Sequence, residues 1–362
     1  MMLDADLEAW LTLSFAPGLS NDAFRRLLAT FGGPHEVLAQ SRAELARCVP
    51  DRAARAVSAA PPRELLERAA QWLSEPGNHV ITLADDVYPK ALLDAPDPPP
   101  VLYAKGRVEL LNAPAFAIVG SRNATQQGLA HAEAFARALS EAGFTIVSGL
   151  ALGIDAAAHR GGLAGPASSV AVVGTGLDTV YPARNHELAH QLARDGCMIS
   201  EFALGTAPVA TNFPRRNRLI AGLARGCLVV EAALSSGSLI TARLANEQGK
   251  EVFAIPGSIH SPLAKGCHSL IKQGAKLVET ADDILDELQP AGVAQAAASK
   301  AAAPDGEPPH PALVHLGFDP CDFDTLVTRS GLGADALAAL LTKWELEGLV
   351  EALPGSRYQR IR

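Results

Sequence analysis

Apolar, β-branched runs alternate with helical segments from about residue 80 to 290. That alternation predicts an α/β fold built on a doubly wound, mostly parallel sheet. Two further observations set its flanks. Residues 1–78 read as short helices broken by Gly and Pro, a small N-terminal helical module. Residues 311–362 read as helix, turn, helix and hairpin, the order of a winged-helix domain. Between core and winged helix, 291–310 is rich in Ala, Pro, Gly and Ser and has the composition of a flexible linker. The expected division is therefore 1–78, 79–290, 291–310 and 311–362.

Each element has a local reason. In the first module, Pro17-Gly18-Leu19-Ser20-Asn21 supplies a turn and capping residues. Phe24, Leu27, Leu28 and Phe31 then recur at helical spacing until Gly32-Gly33-Pro34 stops the helix. Such units resemble small modules of the helix-hairpin-helix or sterile-alpha-motif kind, and eight Arg against ten Asp and Glu in residues 1–80 leave this one net acidic. In the core, strands are expected at 115–119, 144–148, 170–173, 198–200, 228–230 and 252–255. A helix carrying Leu129, Ala132, Phe135, Ala136 and Leu139 joins the first two. In the last unit, 334–348 forms an amphipathic helix with Leu337, Leu340, Leu341 and Trp344 inward, and 349–360 a hairpin. Residues 311–362 hold five Arg and Lys against seven Asp and Glu, so a groove-reading helix would set carboxylates against phosphates. This unit reads as a protein-interaction or regulatory module.

Composition narrows the function. Of 362 residues 48% are hydrophobic and 19% charged, enough to bury a full core. The net charge of -8 argues against a bulk electrostatic coat for nucleic acid, so any such contact needs a local patch. Five scattered cysteines without a C-x-x-C pair read as reduced and mostly buried, as in the cytoplasm. The acidic start is unlike a signal peptide, and no apolar run is long enough for a membrane span.

The patch is carried by a pattern that occurs twice, aromatic-Pro-x-Arg-Asn: Tyr181-Pro182-Ala183-Arg184-Asn185 and Phe213-Pro214-Arg215-Arg216-Asn217. Pro suits a first helical turn, which aims each Arg from a helix N-terminus where free N–H groups favour an anion. From Arg215 to Arg225 there are four Arg and no acid. The carboxyl ends of the strands, where open parallel sheets bind ligands, carry Gly120-Ser121-Arg122, Ser148-Gly149, Gly174-Thr175-Gly176, Glu201, Ser235-Ser236-Gly237-Ser238 and Pro256-Gly257-Ser258. Small residues there let a phosphate reach backbone N–H groups.

Some chemistry is missing. No G-x-x-x-x-G-K-[ST] occurs, and Gly174-Thr175-Gly176 lacks the third Gly of a dinucleotide fingerprint, with Thr179 in its place. No nucleotide or nicotinamide cofactor is expected. His186 and His190 stand at i, i+4 without a third ligand, so no metal site is expected. No catalytic residues stand out, and Glu201 and Glu231 read as loop hydrogen-bond acceptors.

Taken in order, these loops resemble the DNA-processing protein A (Smf) family. The matches are Ala117-Ile118-Val119-Gly120-Ser121-Arg122, Ser148-Gly149-Leu150-Ala151-Leu152-Gly153-Ile154-Asp155-Ala156-Ala157-Ala158-His159, Gly174-Thr175-Gly176-Leu177-Asp178 with Tyr181-Pro182, Phe213-Pro214-Arg215-Arg216-Asn217-Arg218, Ser236-Gly237-Ser238-Leu239-Ile240-Thr241-Ala242, and Ile255-Pro256-Gly257. The resemblance implies an extended Rossmann-like core that binds single-stranded DNA, forms a homodimer, and loads RecA recombinase onto incoming strands in natural transformation. It implies no enzymatic activity. Arg122 and Arg216 are the expected phosphate ligands, with Gly120, Ser121, Gly237 and Ser238 as close donors. Asn217, Arg215, Arg218 and Lys265 are further phosphate contacts, and Phe213 or Tyr181 a base-stacking platform. Replacing Arg122 or Arg216 by Ala is expected to weaken binding and leave the fold intact. The alternative is a nucleotide-binding protein or a phosphoribohydrolase acting on nucleoside monophosphates. The core also resembles those enzymes, but Thr241 stands where their catalytic Glu would be.

Overall fold

A computed structural model describes residues 3–60, 63–288, 313 and 315–361. Nine strands form the central sheet: β1 (Asn78–Thr82), β2 (Val101–Gly106), β3 (Ala115–Val119), β4 (Thr145–Ser148), β5 (Ser169–Val172), β6 (Cys197–Ser200), β7 (Gly226–Val229), β8 (Glu251–Ala254) and β9 (Lys276–Leu277). Their order is β1-β2-β6-β5-β4-β3-β7-β8-β9. All neighbours from β6 to β9 run parallel. β1 and β2 extend the sheet antiparallel beyond β6. The six strands expected from sequence are present within one or two residues of their expected limits.

The alternation of side chains in β3 shows why the sheet is buried on both faces. Phe116 and Ile118 belong to one apolar cluster, with Phe135, Ile146, Leu228 and Phe253. Ala115, Ala117 and Val119 belong to another, with Val147, Val229 and Ile220. Helices Gln126–Glu141 and Ile154–Ala164 supply the first cover, and helices Asn212–Leu223 and Ser238–Glu247 the second. The N-terminal helices close a third cluster over the β2, β5 and β6 side, where Trp10, Leu11, Phe24 and Trp72 pack with Tyr103, Ala171 and Met198. Residues before and after Asn78 thus share one core.

The C-terminal unit has the expected order. Strand β10 (Cys321–Asp322), helices Phe323–Ser330 and Ala334–Leu346, and strands β11 (Val350–Leu353) and β12 (Arg357–Arg360) enclose Leu326, Leu337, Leu341, Trp344 and Val350. The linker expected at 291–310 lies outside the described residues.

Candidate nucleic-acid interface

Strand order reverses at β3. The chain winds from β3 outward to β4, β5 and β6, then returns to place β7 on its other side. The loops after β3 and β7 therefore diverge, and a cleft of about 720 Å³ opens between them. It is lined by Gly120, Ser121, Arg122, Tyr181, Phe213, Arg216, Asn217, Gly237 and Ser238, nine of the twelve residues expected from sequence.

Two helices point their N-termini into this cleft. Helix Asn212–Leu223 begins at Thr211 and helix Ser238–Glu247 at Gly237. Neither has a side-chain cap or an acid in its first turn. Asn212 N–H already donates to the Val209 carbonyl, and Ser238 and Leu239 N–H to Ser236, so it is the helix dipoles and the small rim residues that favour an anion at these ends. The two glycines of the rim differ. A Cβ on Gly120 would stand 2.6 Å from Ile154 Cγ1, so packing alone demands glycine there. At Gly237 a Cβ would meet nothing within 4 Å and φ is an ordinary -63°, so the bare backbone there leaves space on the cleft side. Ser236 and Ser238 share a hydroxyl hydrogen bond of 2.7 Å.

One wall is aromatic. Tyr181 and Phe213 lie with ring centroids 5.7 Å apart, and the Arg122 guanidinium covers Phe213 at 5.6 Å. Tyr181 is 43% exposed. Phe213 is half-buried, seated against Gly174, so it is both a packing residue and part of the wall.

The floor is Arg216, only 4% exposed. Its Nη1 donates to the carbonyls of Gly149, at 2.5 Å, and Val172. Its Nε donates to Asn217 Oδ1 at 3.2 Å, and Asn217 Nδ2 in turn donates to the Gly237 carbonyl at 3.3 Å. Burial lowers the Arg216 pKa to about 10, Asp155 opposing the shift and Arg122 adding to it, so the guanidinium stays charged at neutral pH. Arg216 is thus a buried cation at the base of the cleft, and its burial argues against the expectation that its removal would spare the fold.

Asp155 and His159, quoted above without roles, hold the loop beneath this cation. Asp155 accepts from the backbone N–H of Gly149 and Ala151 at 3.1 and 3.4 Å. Burial raises its pKa, opposed by Arg216. His159 is fully buried, accepts at Nε2 from Leu150 N–H (3.2 Å) and meets Ser169 Oγ at Nδ1 (2.7 Å). Ser169 Oγ donates its one proton to the Ile146 carbonyl, so Nδ1 carries the imidazole proton. Burial pushes His159 down to about 3. Asn185 fixes the other side of the loop by donating to the Leu150 and Ala151 carbonyls. Leu150 can then keep φ at 57°, a conformation rare for a branched side chain. Only the residue types mark this network in the sequence, since its partners lie on four different elements.

Three expected contacts lie elsewhere. Arg215 and Arg218 turn away from the cleft to Glu201, Arg215 at 3.0 Å. Arg218 also faces Asp97 at 3.8 Å. The acid-free run in sequence is therefore partly neutralised in space. Lys265 donates to the Ile259 carbonyl and lines a different groove. Arg184, of the first aromatic-Pro-x-Arg-Asn copy, is exposed and does not line the cleft. The two copies differ because in the first the Asn is buried and in the second the Arg. Glu231, just after β7, accepts from Thr125 N–H and Oγ1 at 3.0 and 2.6 Å and so anchors Thr125, whose hydroxyl caps helix Gln126–Glu141 by accepting from Gly128 N–H. Thr241 is buried. Among the described residues no group of three or more metal-ligating side chains occurs, though His186 and His190 bring Nε2 atoms within 3.3 Å.

Known proteins resemble this chain in sequence and fold. The family described as DNA recombination-mediator protein A matches residues 79–289, and the DprA winged helix domain matches 296–356. The chain belongs to the DNA recombination-mediator protein A family. It is 42% identical over 308 residues to Protein Smf of Escherichia coli K12, covering 83% of this chain and 82% of the other. It is 47% identical over 208 residues to DNA processing protein DprA of Streptococcus pneumoniae, covering 58% and 73%. The X-ray structure of the S. pneumoniae protein superimposes with a TM-score of 0.69 at 36% identity, over 80% of this chain and 99% of that one. A DprA structure from Helicobacter pylori, described for its single-stranded DNA binding mode, gives 0.53 at 32% identity, over 58% and 95%.

Two expectations follow from the floor of the cleft. Arg216→Ala leaves Asp155 and two carbonyls without their cation and should destabilise the fold by about 3 kcal/mol or more. Exposed Arg122→Ala should change stability by less than about 0.5 kcal/mol. Denaturant melts that rank the two alike would contradict this placement. The second concerns pH. His159 is neutral in the fold and protonates near its ordinary value when unfolded. The unfolded chain therefore binds one more proton as pH falls from about 6.5 toward 3, and stability is lost by about 1.4 kcal/mol per unit. His159→Gln should flatten this slope by that amount, read from urea melts at several pH values. An unchanged slope would mean that His159 is protonated in the fold.

Proposed function

We propose that this chain is a non-enzymatic, cytoplasmic mediator of recombination that binds single-stranded DNA in the β3/β7 cleft, protects incoming strands, and loads RecA recombinase on them. The observation that carries the reading is the meeting of two acid-free helix N-termini with Arg122 and the Tyr181–Phe213 wall. The N-termini and Arg122 suit backbone phosphates, and the wall suits a base of any sequence. In this reading Gly120, Ser121, Gly237 and Ser238 donate at close range, Asn217 orients, and Arg216 acts as the buried charge beneath the phosphates. The H. pylori relative's single-stranded DNA binding supports the assignment. A hydrolase acting on nucleotides is disfavoured because Thr241 replaces the acid such a loop would need and Glu231 is engaged by the N-cap residue Thr125.

We further propose that the protein works as a homodimer through a groove beside β9. Leu234, Ile259 and Leu277 are 67%, 68% and 50% exposed and line it together with Ile271. Such clustered apolar exposure suits an interface. Ile259→Asp should shift sedimentation toward monomer. A variant as dimeric as the parent would place the interface elsewhere.

Binding itself is tested by titrating matched single- and double-stranded oligonucleotides at several salt concentrations. Single strands should be preferred, with log K falling against log salt at about 0.7 per phosphate contacted. Arg122→Ala should lose about tenfold or more. Equal affinity for duplex would contradict the cleft assignment. The winged helix touches the core through Gln359, which donates to Gln127 at 3.0 Å, and its acidic helix suits a regulatory role. A chain ending at Pro290 should therefore stay within about tenfold of full-length affinity, roughly 1.4 kcal/mol.

A further inference from the structure

A second polar cavity, of about 470 Å³, lies at the opposite end of helix Asn212–Leu223, where β3 and β7 begin. The helix has 12 residues, so about 18 Å separates this cavity from the cleft. Lys90, Asp94, Asn112, Arg225, Gln248 and Lys250 supply its polar lining.

Donors there outnumber acceptors. Lys90 and Arg225 are exposed, and neither forms an ion pair among the described residues. Lys250 Nζ donates to the Ala221 and Gly222 carbonyls at 2.6 and 2.7 Å, which leaves one of its three N–H groups over. Gln248 Nε2 is buried and has no hydrogen-bond partner among the described residues. A buried amide without a protein acceptor is met by water or by an acceptor that enters the cavity. The protein's own acceptors do not fill that place. The Asn112 side chain is engaged by Lys90 N–H and by the Val87 and Tyr88 carbonyls. Asp94 is the one carboxylate among the lining residues, against three cations, in a chain of net charge -8.

We propose that this cavity is a second anion site that takes a phosphate group, on a free phosphate-bearing metabolite or on the backbone of a strand that continues around the molecule. The guanidinium of Arg225 and the ammonium of Lys90 meet the charge at the mouth, and Gln248 Nε2 and the third N–H of Lys250 donate from within. Lys250 makes the site observable. Burial holds its pKa down at about 8, opposed by Asp94. A bound anion beside it raises that value.

The test uses the full-length chain carrying Arg122→Ala, which weakens phosphate binding in the cleft. Inorganic phosphate is titrated by calorimetry, and the Lys250 side-chain signal is followed against pH by NMR. Saturable binding should persist, with the Lys250 titration moved to higher pH. Adding Lys90→Gln and Arg225→Gln, both at exposed positions, should weaken binding about tenfold or more and abolish the shift. Binding unaffected by the pair, or a Lys250 titration indifferent to phosphate, would overturn the proposal. With Arg122 intact, loss of oligonucleotide affinity in the Lys90→Gln, Arg225→Gln chain identifies the strand backbone as the source of the phosphate. Oligonucleotide affinity that stays unchanged while phosphate binding is lost identifies a free ligand.

Discussion

The cleft depends on one buried cation. Arg216 sits at the floor with its guanidinium hydrogen-bonded to the carbonyls that end β4 and β5, and with the Asp155 carboxylate near enough to oppose the lowering of its pKa. A Cβ on Gly149 would lie 2.6 Å from that guanidinium, so the loop closes on it as tightly as a backbone can. Everything above inherits this position: Asn217 carries it to the Gly237 carbonyl, and Arg122 adds a second positive charge at the rim. A buried charge is costly unless compensated, and here carbonyl dipoles and a carboxylate supply only part of the compensation. A phosphate in the cleft would supply more, so the charge that the fold tolerates is also the charge that selects the ligand.

The loop from Gly149 to Gly153 shows how rigidity is achieved without regular structure. Asp155 accepts from its N–H groups, Asn185 donates to its carbonyls, and neutral His159 fixes Leu150 in a left-handed conformation. Gly153, at φ 76°, lies so close to the Ser121 carbonyl that a side chain there would overlap it, which locks this loop to the one bearing Arg122. Donors held in place before a ligand arrives lose little freedom on binding, and this is what a preformed phosphate site requires.

Much of this was legible in the sequence because strand and loop signals are local. The β-branched runs locate six strands, and the Gly- and Ser-rich loops at their ends locate the cleft at the β3/β7 divergence. The failures all involve pairing at long range. β1, β2 and β9 carry too little pattern to stand out, and β1 and β2 owe their place to antiparallel pairing with the edge of β6. Arg215 and Arg218 look free in sequence because their partner Glu201 is more than a dozen residues away. Arg216 looks like a surface residue because nothing local shows that its helix face turns inward. The N-terminal helices look like a separate module, yet Trp72 packs edge-on to Tyr103 at 5.9 Å in a cluster shared with the sheet.

The central claim is that phosphates meet the two helix N-termini beside Arg122. Backbone amide chemical shifts, followed while a short oligothymidylate is added to the full-length chain, test it most directly. The account predicts that the amides of Ser121, Arg122, Gly237 and Ser238 move together with the ring signals of Tyr181 and Phe213, while those of residues 321–360 stay in place. Shifts concentrated in the winged helix or in the N-terminal helices, with the cleft amides unmoved, would contradict it.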